Sequence, residues 1–230
     1  MSSLSLAFHR LGSLPYFYSL SGKLLPWAGG LCIVLFGIGL YTGLALAPTD
    51  YEQGDSYRII YVHVPAAWMS MFVYVVLAIA GTIALVWRLK LAEVVARTSA
   101  PIGASYTFLA LATGSIWGKP MWGTWWIWDA RLTSELILLF LYLGYIALQS
   151  AIDDRRTAAR AGAVLALVGV VNLPIIHYSV EWWSTLHQGP TVSKFDSPSI
   201  HLSMLIPLLL MALAFKIHFV TAVQIGRAHV

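Results

Sequence analysis

Six stretches of this chain are apolar on every face over lengths that suit a lipid bilayer: about 24–47, 62–87, 100–117, 132–151, 161–179 and 201–223. A spanning helix needs roughly 20 mostly apolar residues. Strands of a membrane barrel alternate apolar and polar residues over segments of ~10, and none of these runs alternates. The pattern predicts an all-α integral membrane protein, a single domain over 1–230 with six transmembrane helices and no separate soluble part. Asn172 and Pro174 are the only hint of a break inside a span.

The polar positions between the runs set the orientation, because Lys and Arg concentrate in cytoplasmic loops. Arg10 and Lys23 precede span one; Arg88, Lys90 and Arg97 follow span two; Arg155, Arg156 and Arg160 follow span four; Lys216 and Arg227 lie at or beyond the end of span six. The other three loops hold only Arg58, Lys119, Arg131 and Lys194. Both termini are therefore expected in the cytoplasm, with segments 48–61, 118–131 and 180–200 outside. Those outer segments are longer and chemically richer, so function is expected there.

Composition agrees: of 230 residues, 59% are hydrophobic and 10% charged, and the mean hydropathy is +0.75, outside the balance of soluble domains. The net charge of +4 is spread through short loops with no basic stripe, so nucleic acid is not expected as a partner. The lone Cys32 excludes a disulfide framework within the chain, and the lack of a Cys-x-x-Cys-His motif excludes covalent haem attachment to it. Ala45-Leu46-Ala47 resembles a signal-peptidase site, but the preceding apolar run is too long for a signal and Pro48 would follow the cut. The final "IGRAHV" coincides with a read-through sequencing adapter, and 225–230 is taken as a non-native tail.

Seven of the ten tryptophans fall in or at the edge of two outer loops: Trp117, Trp122, Trp125, Trp126 and Trp128 in one, Trp182 and Trp183 in the other. An interfacial aromatic belt accounts for Trp27 and Trp87, but gives no reason to crowd five indoles into "WGKPMWGTWWIWDARLTSE", residues 117–135. A short helix from Pro120, a favoured first helical residue, would set Trp122, Trp125, Trp126 and Asp129 on one face. Indole faces bury large apolar area and stack on flat guests.

Four histidines fall outside by this topology. His177 and His201 read as hydrogen-bonded structural residues. His63 and His187 sit beside Pro or Gly and close to aromatics, where an imidazole reaches a ligand above the bundle. Histidine is a common haem iron ligand, and two from separate loops could clamp a macrocycle over the tryptophan face. Burial of several hundred Å2 at ~25 cal/mol per Å2 gives roughly 10 kcal/mol gross, before association costs. Arg58, Lys119 and Arg131 are the nearby outer cations, and an arginine fork suits haem propionates. Arg131 has a second reading, pairing with Asp129 or Glu135, and Glu135 itself is a costly carboxylate inside an apolar run.

The 117–135 segment resembles the tryptophan-rich WWD motif of the haem-handling cytochrome c assembly family. "SYRIIYVHVPAAW", "NLPIIHYSVEWWSTLHQG" and the six-span layout extend the resemblance over nearly the whole chain, and the length matches the short members of that family. The resemblance implies a multi-pass protein of the bacterial inner membrane that binds haem b non-covalently on the periplasmic side through the WWD segment. His63 and His187 correspond to its axial ligands. It implies delivery to a periplasmic haem chaperone, maturation protein E, alongside the ATP-binding cassette proteins A and B and a small D subunit. That is a haem-presenting scaffold with lyase-like assistance, without a catalytic nucleophile in its loops. The alternatives are a b-type redox cytochrome, which needs histidines deep in facing spans, and a membrane subunit of an ABC-type haem permease, which the short cytoplasmic loops disfavour.

Overall fold

The computed structural model describes residues 14–183, 185–187, 189, 192 and 197–226. Arg10, Lys194, Arg227 and positions 227–230 of the tail lie outside them. Seven α-helices follow one another: α1 (Leu14–Tyr41), α2 (Ile60–Trp87), α3 (Lys90–Trp122), α4 (Ala130–Ala151), α5 (Arg155–Gly169), α6 (Asn172–Trp182) and α7 (Leu202–Gly226). A π-helical turn, Thr42–Leu46, extends α1, and a 3-10 turn, Asp55–Ile59, leads into α2. Among the described residues there is no strand, only an isolated bridge between Asp50 and Gly54.

Five helical stretches are long and apolar enough to cross a membrane: Tyr18–Leu46, Asp55–Trp87, Ala130–Ala151, Arg155–Trp182 and Leu202–Gly226. The third expected run, 100–117, lies within α3, which begins at Lys90 instead of near 100 and has 33 residues, about 50 Å of helix. Its length suffices, but Ser99, Gly103, Ser105, Tyr106, Thr107 and Thr113 dilute its apolar character. Packing explains the composition. Ala96, Ala100, Ala104 and Ala110 of α3 are buried, and small residues let helix backbones approach closely where lipid offers no hydrophobic drive between helices. At Gly103 a Cβ would collide with the ring of Tyr142 from α4. α2 is the central element, packed against α3, α5 and α7, while α1 leans on α7.

The fifth expected span is two helices. Pro174 has no N–H to give to the carbonyl four residues back, and the join is made by tighter bonds, Val170 N to Leu167 O (3.3 Å) and Val171 N to Val168 O (3.4 Å). Asn172 Nδ2 donates to the Ser134 carbonyl of α4 at 2.8 Å. Beside it, buried Glu135 accepts from Ser70 Oγ at 2.7 Å, and Tyr142 donates to the Ser70 carbonyl at 2.8 Å. His218 of α7 lies between α1 and α3, 2.6 Å from the Tyr106 hydroxyl and edge-on to Phe36.

Candidate functional site

A cavity of about 450 Å3 lies at the end of the bundle where α2 and α4 begin and α3 ends. That volume falls in the ~300–1,000 Å3 range of ligand and cofactor sites. His63, Trp117, Trp122, Arg131, His177 and His187 all line it. A smaller chamber of about 40 Å3 adjoins it, sharing His63, Arg131 and His187 and reaching Glu135.

His63 sits in the first turns of α2. Its Nδ1 is 3.0 Å from Thr113 Oγ1 of α3. Its ring meets Trp117 edge to face at 5.6 Å. Gly114 gives it room: a Cβ there would stand 3.0 Å from His63 Cε1. Trp117 is itself fixed, donating from Nε1 to Gln53 Oε1 at 2.8 Å; Gln53 in turn is held by its backbone N–H on Asp50 Oδ1, also at 2.8 Å.

His187 comes from the segment after α6 and packs on Trp122 with ring centroids 4.7 Å apart. Its Nδ1 is 3.0 Å from Asp129 Oδ2. The other oxygen of that carboxylate accepts from Leu132 N at 2.8 Å and so caps the start of α4. One side chain thus ends the tryptophan loop, begins a helix and orients an imidazole. Burial holds His187 below the ordinary imidazole value, with Asp129 pulling the other way, so the ring is neutral and able to donate a lone pair near neutral pH.

The indole platform takes a different form from the one expected. No helix starts at Pro120; this proline lies in the last turn of α3, which Gly123 closes in the left-handed region at φ 76. A glycine at that position is the common helix stop. Residues 123–129 lie outside any helix, so Trp122, Trp125, Trp126 and Asp129 share no helical face. Trp117 and Trp122 face the cavity, joined by Trp68 of α2. Trp125 and Trp128 are 58% and 76% exposed and point elsewhere. Trp126 packs on Trp128 at 5.5 Å, its buried Nε1 without a partner among the described residues.

The cations divide as well. Arg58 is absent from the cavity wall: its Nη1 donates to the carbonyls of Gly43 (3.2 Å) and Leu44 (2.9 Å), and its Nε pairs with Asp55 at 2.9 Å. It satisfies the orphan carbonyls at the end of α1. Lys119 Nζ donates to the Gly123 carbonyl at 3.0 Å and closes α3. Arg131 lines both cavities, and among the described residues it forms no ion pair with Asp129 or Glu135.

Sequence reasoning set Trp68 near the outer end of its span and read His177 as structural, giving neither a ligand role, and it missed Gln53 and Thr113. His177 and Trp68 lie in apolar runs where a structural role is the commoner one. Gln53 and Thr113 carry no signal at all, since their partners are 64 and 50 residues away.

The class these features define is a multi-pass helical membrane protein with a histidine- and tryptophan-lined cavity at one end. A family model described as heme exporter protein C matches residues 7–229. Heme exporter protein C of Haemophilus influenzae is 57% identical over 198 residues, covering 86% of this chain and 80% of its own. The Escherichia coli K12 protein of that name is 60% identical over 183 residues, covering 80% and 75%. A cytochrome c biosynthesis mitochondrial protein of Marchantia polymorpha is 47% identical over 186 residues, covering 81% and 78%. The chain belongs to the heme exporter protein C family, and the expectation drawn from its tryptophan-rich motif is met.

Proposed function

We propose that the chain holds haem b, non-covalently, in the large cavity, with His63 and His187 as axial ligands and Arg131 on a propionate. It then presents the haem to a periplasmic chaperone during c-type cytochrome biogenesis. The observation that carries this reading is two imidazoles on one cavity, each tied at Nδ1 so that Nε2 remains for iron. Among the described residues no group of three or more His, Cys, Asp or Glu could hold a bare metal ion. Two imidazoles suit an iron that already has four porphyrin ligands. Indole walls from Trp117 and Trp122 match the ring, and a guanidinium with no ion pair among the described residues matches its carboxylates.

The names of the relatives support the same direction, referring to haem export and, in the mitochondrial case, to cytochrome c biosynthesis. α3 acts as a sixth span in this reading. Arg88 and Lys90 lie at the ends of α2 and α3 opposite the cavity, and Arg155 and Arg156 open α5 just after α4; by the positive-inside tendency this supports a cavity on the periplasmic side. Maturation protein E is the receiver, with A, B and D completing the assembly in the bilayer. A b-type redox role fits less well, because His218 is engaged with Tyr106 and no second imidazole faces it among the described residues. In cells making the whole system, His63→Ala with His187→Ala abolishes covalent haem on the chaperone; chaperone loaded at the wild-type level contradicts the delivery role.

A further inference from the structure

The two histidines look alike in sequence, but they lean on different groups. Thr113 has one hydroxyl proton, and its Oγ1 lies 2.6 Å from the Leu109 carbonyl, one turn back on α3. With the proton spent there, the hydroxyl oxygen can only accept, so His63 must donate from Nδ1. Asp129 is a carboxylate and an acceptor too, so His187 also donates from Nδ1. Both rings therefore hold the same tautomer, with an Nε2 lone pair free. The acceptors differ in charge. An anionic acceptor draws the Nδ1 proton and raises the basicity of the opposite nitrogen; a neutral hydroxyl does so much less.

We infer that Thr113 and Asp129 are positioning residues that make the axial ligands unequal, His187 the firmer and His63 the one an incoming nitrogen or carbon ligand replaces. In that exchange one Fe–Nε2 bond would break and one bond to the incoming lone pair would form, with no change of oxidation state; a ligand that arrives protonated, as hydrogen cyanide does, would give its proton to water. The surroundings suit these roles. Asp129 cannot drift from His187 without giving up the cap on α4, whereas the Nδ1 of His63 has only an uncharged hydroxyl as its acceptor, the ring being otherwise held by packing against Trp117 and the Gly114 backbone. The asymmetry gives a hand-off a direction: the haem is held through His187 while the position facing His63 opens. The inference rests on the haem reading above.

The test uses the full-length chain in its native assembly, loaded with ferric haem and titrated with cyanide, together with haem potentiometry. Thr113→Val, nearly the same shape, should bind cyanide ten- to a hundredfold more tightly, roughly the range by which such supporting groups alter metal sites; Thr113→Ser should restore wild-type binding. Asp129→Ser keeps a capping oxygen but removes the charge behind His187, and should raise the haem reduction potential more than Thr113→Val does. Cyanide binding unchanged in Thr113→Val, no rescue by serine, or a larger potential shift from Thr113→Val than from Asp129→Ser overturns the inequality while bis-histidine haem remains. A wild-type chain whose loaded haem lacks the low-spin bis-histidine spectrum overturns the haem reading itself, and the inference with it.

Discussion

At the residue scale the tryptophans of one motif separate into different jobs. Trp117 and Trp122 form cavity wall, while Trp125 is largely exposed and away from it. An indole loses its stacking and buried area when it is cut to alanine only if it had them. Trp122→Ala should therefore lower the haem retained by the purified chain several-fold, and Trp125→Ala should leave it near wild type, as read by haem-to-protein ratio. Equal losses would restore the motif to a single platform. Arg131 resolves in the same local way. Flanked in sequence by Asp129 and Glu135, it could have been their partner, but those carboxylates are used on His187 and Ser70, which leaves the guanidinium for the cavity.

At the scale of elements, the site is made where helices stop and start. α3 delivers Trp117 and Trp122 and then must end, and Gly123 ends it at a positive φ. A side chain in that region costs about 1–2 kcal/mol. Gly123→Ala should destabilise the chain by about that amount in a denaturation series and also reduce haem retention, because the turn sets where Trp122 lies against His187. A loss of stability with full haem would separate the stop from the site. This junction also marks the limit of what the sequence discloses. Pro120 suits the first turn of a new helix and equally the last turn of an old one, and spacing alone cannot tell them apart. Arg58 likewise sits among outer residues in sequence, yet its work is to close α1. By contrast, Asn172 and Pro174 did mark the break between α5 and α6, because a missing N–H has a local consequence.

At the scale of the whole molecule, long apolar runs were legible because lipid imposes one rule on every residue of a span. That rule reads α1, α2, α4 and α7 directly. It is least decisive for α3, whose interior position favours alanine, glycine and hydroxyl residues over leucine. The family resemblance was legible for the opposite reason, since a dense local motif survives in sequence even when its geometry does not. His63 and His187 were named from the chain, but their supports Thr113 and Asp129 act across 50 and 58 residues, and only the fold brings them together. Orientation gives a further prediction. In a Cys32→Ser background, a cysteine replacing Tyr51, which is 91% exposed, should react with an impermeant thiol reagent added outside intact inner-membrane cells. One replacing Asp153, between α4 and α5, should react only after lysis; the reverse pattern would invert the topology. The central claim is that paired imidazoles in this cavity hold haem, and its most direct test is the absorption spectrum of the purified chain. The account predicts a low-spin haem Soret band that disappears in the His63→Ala, His187→Ala double variant, and the same band at the same occupancy in that variant would contradict it.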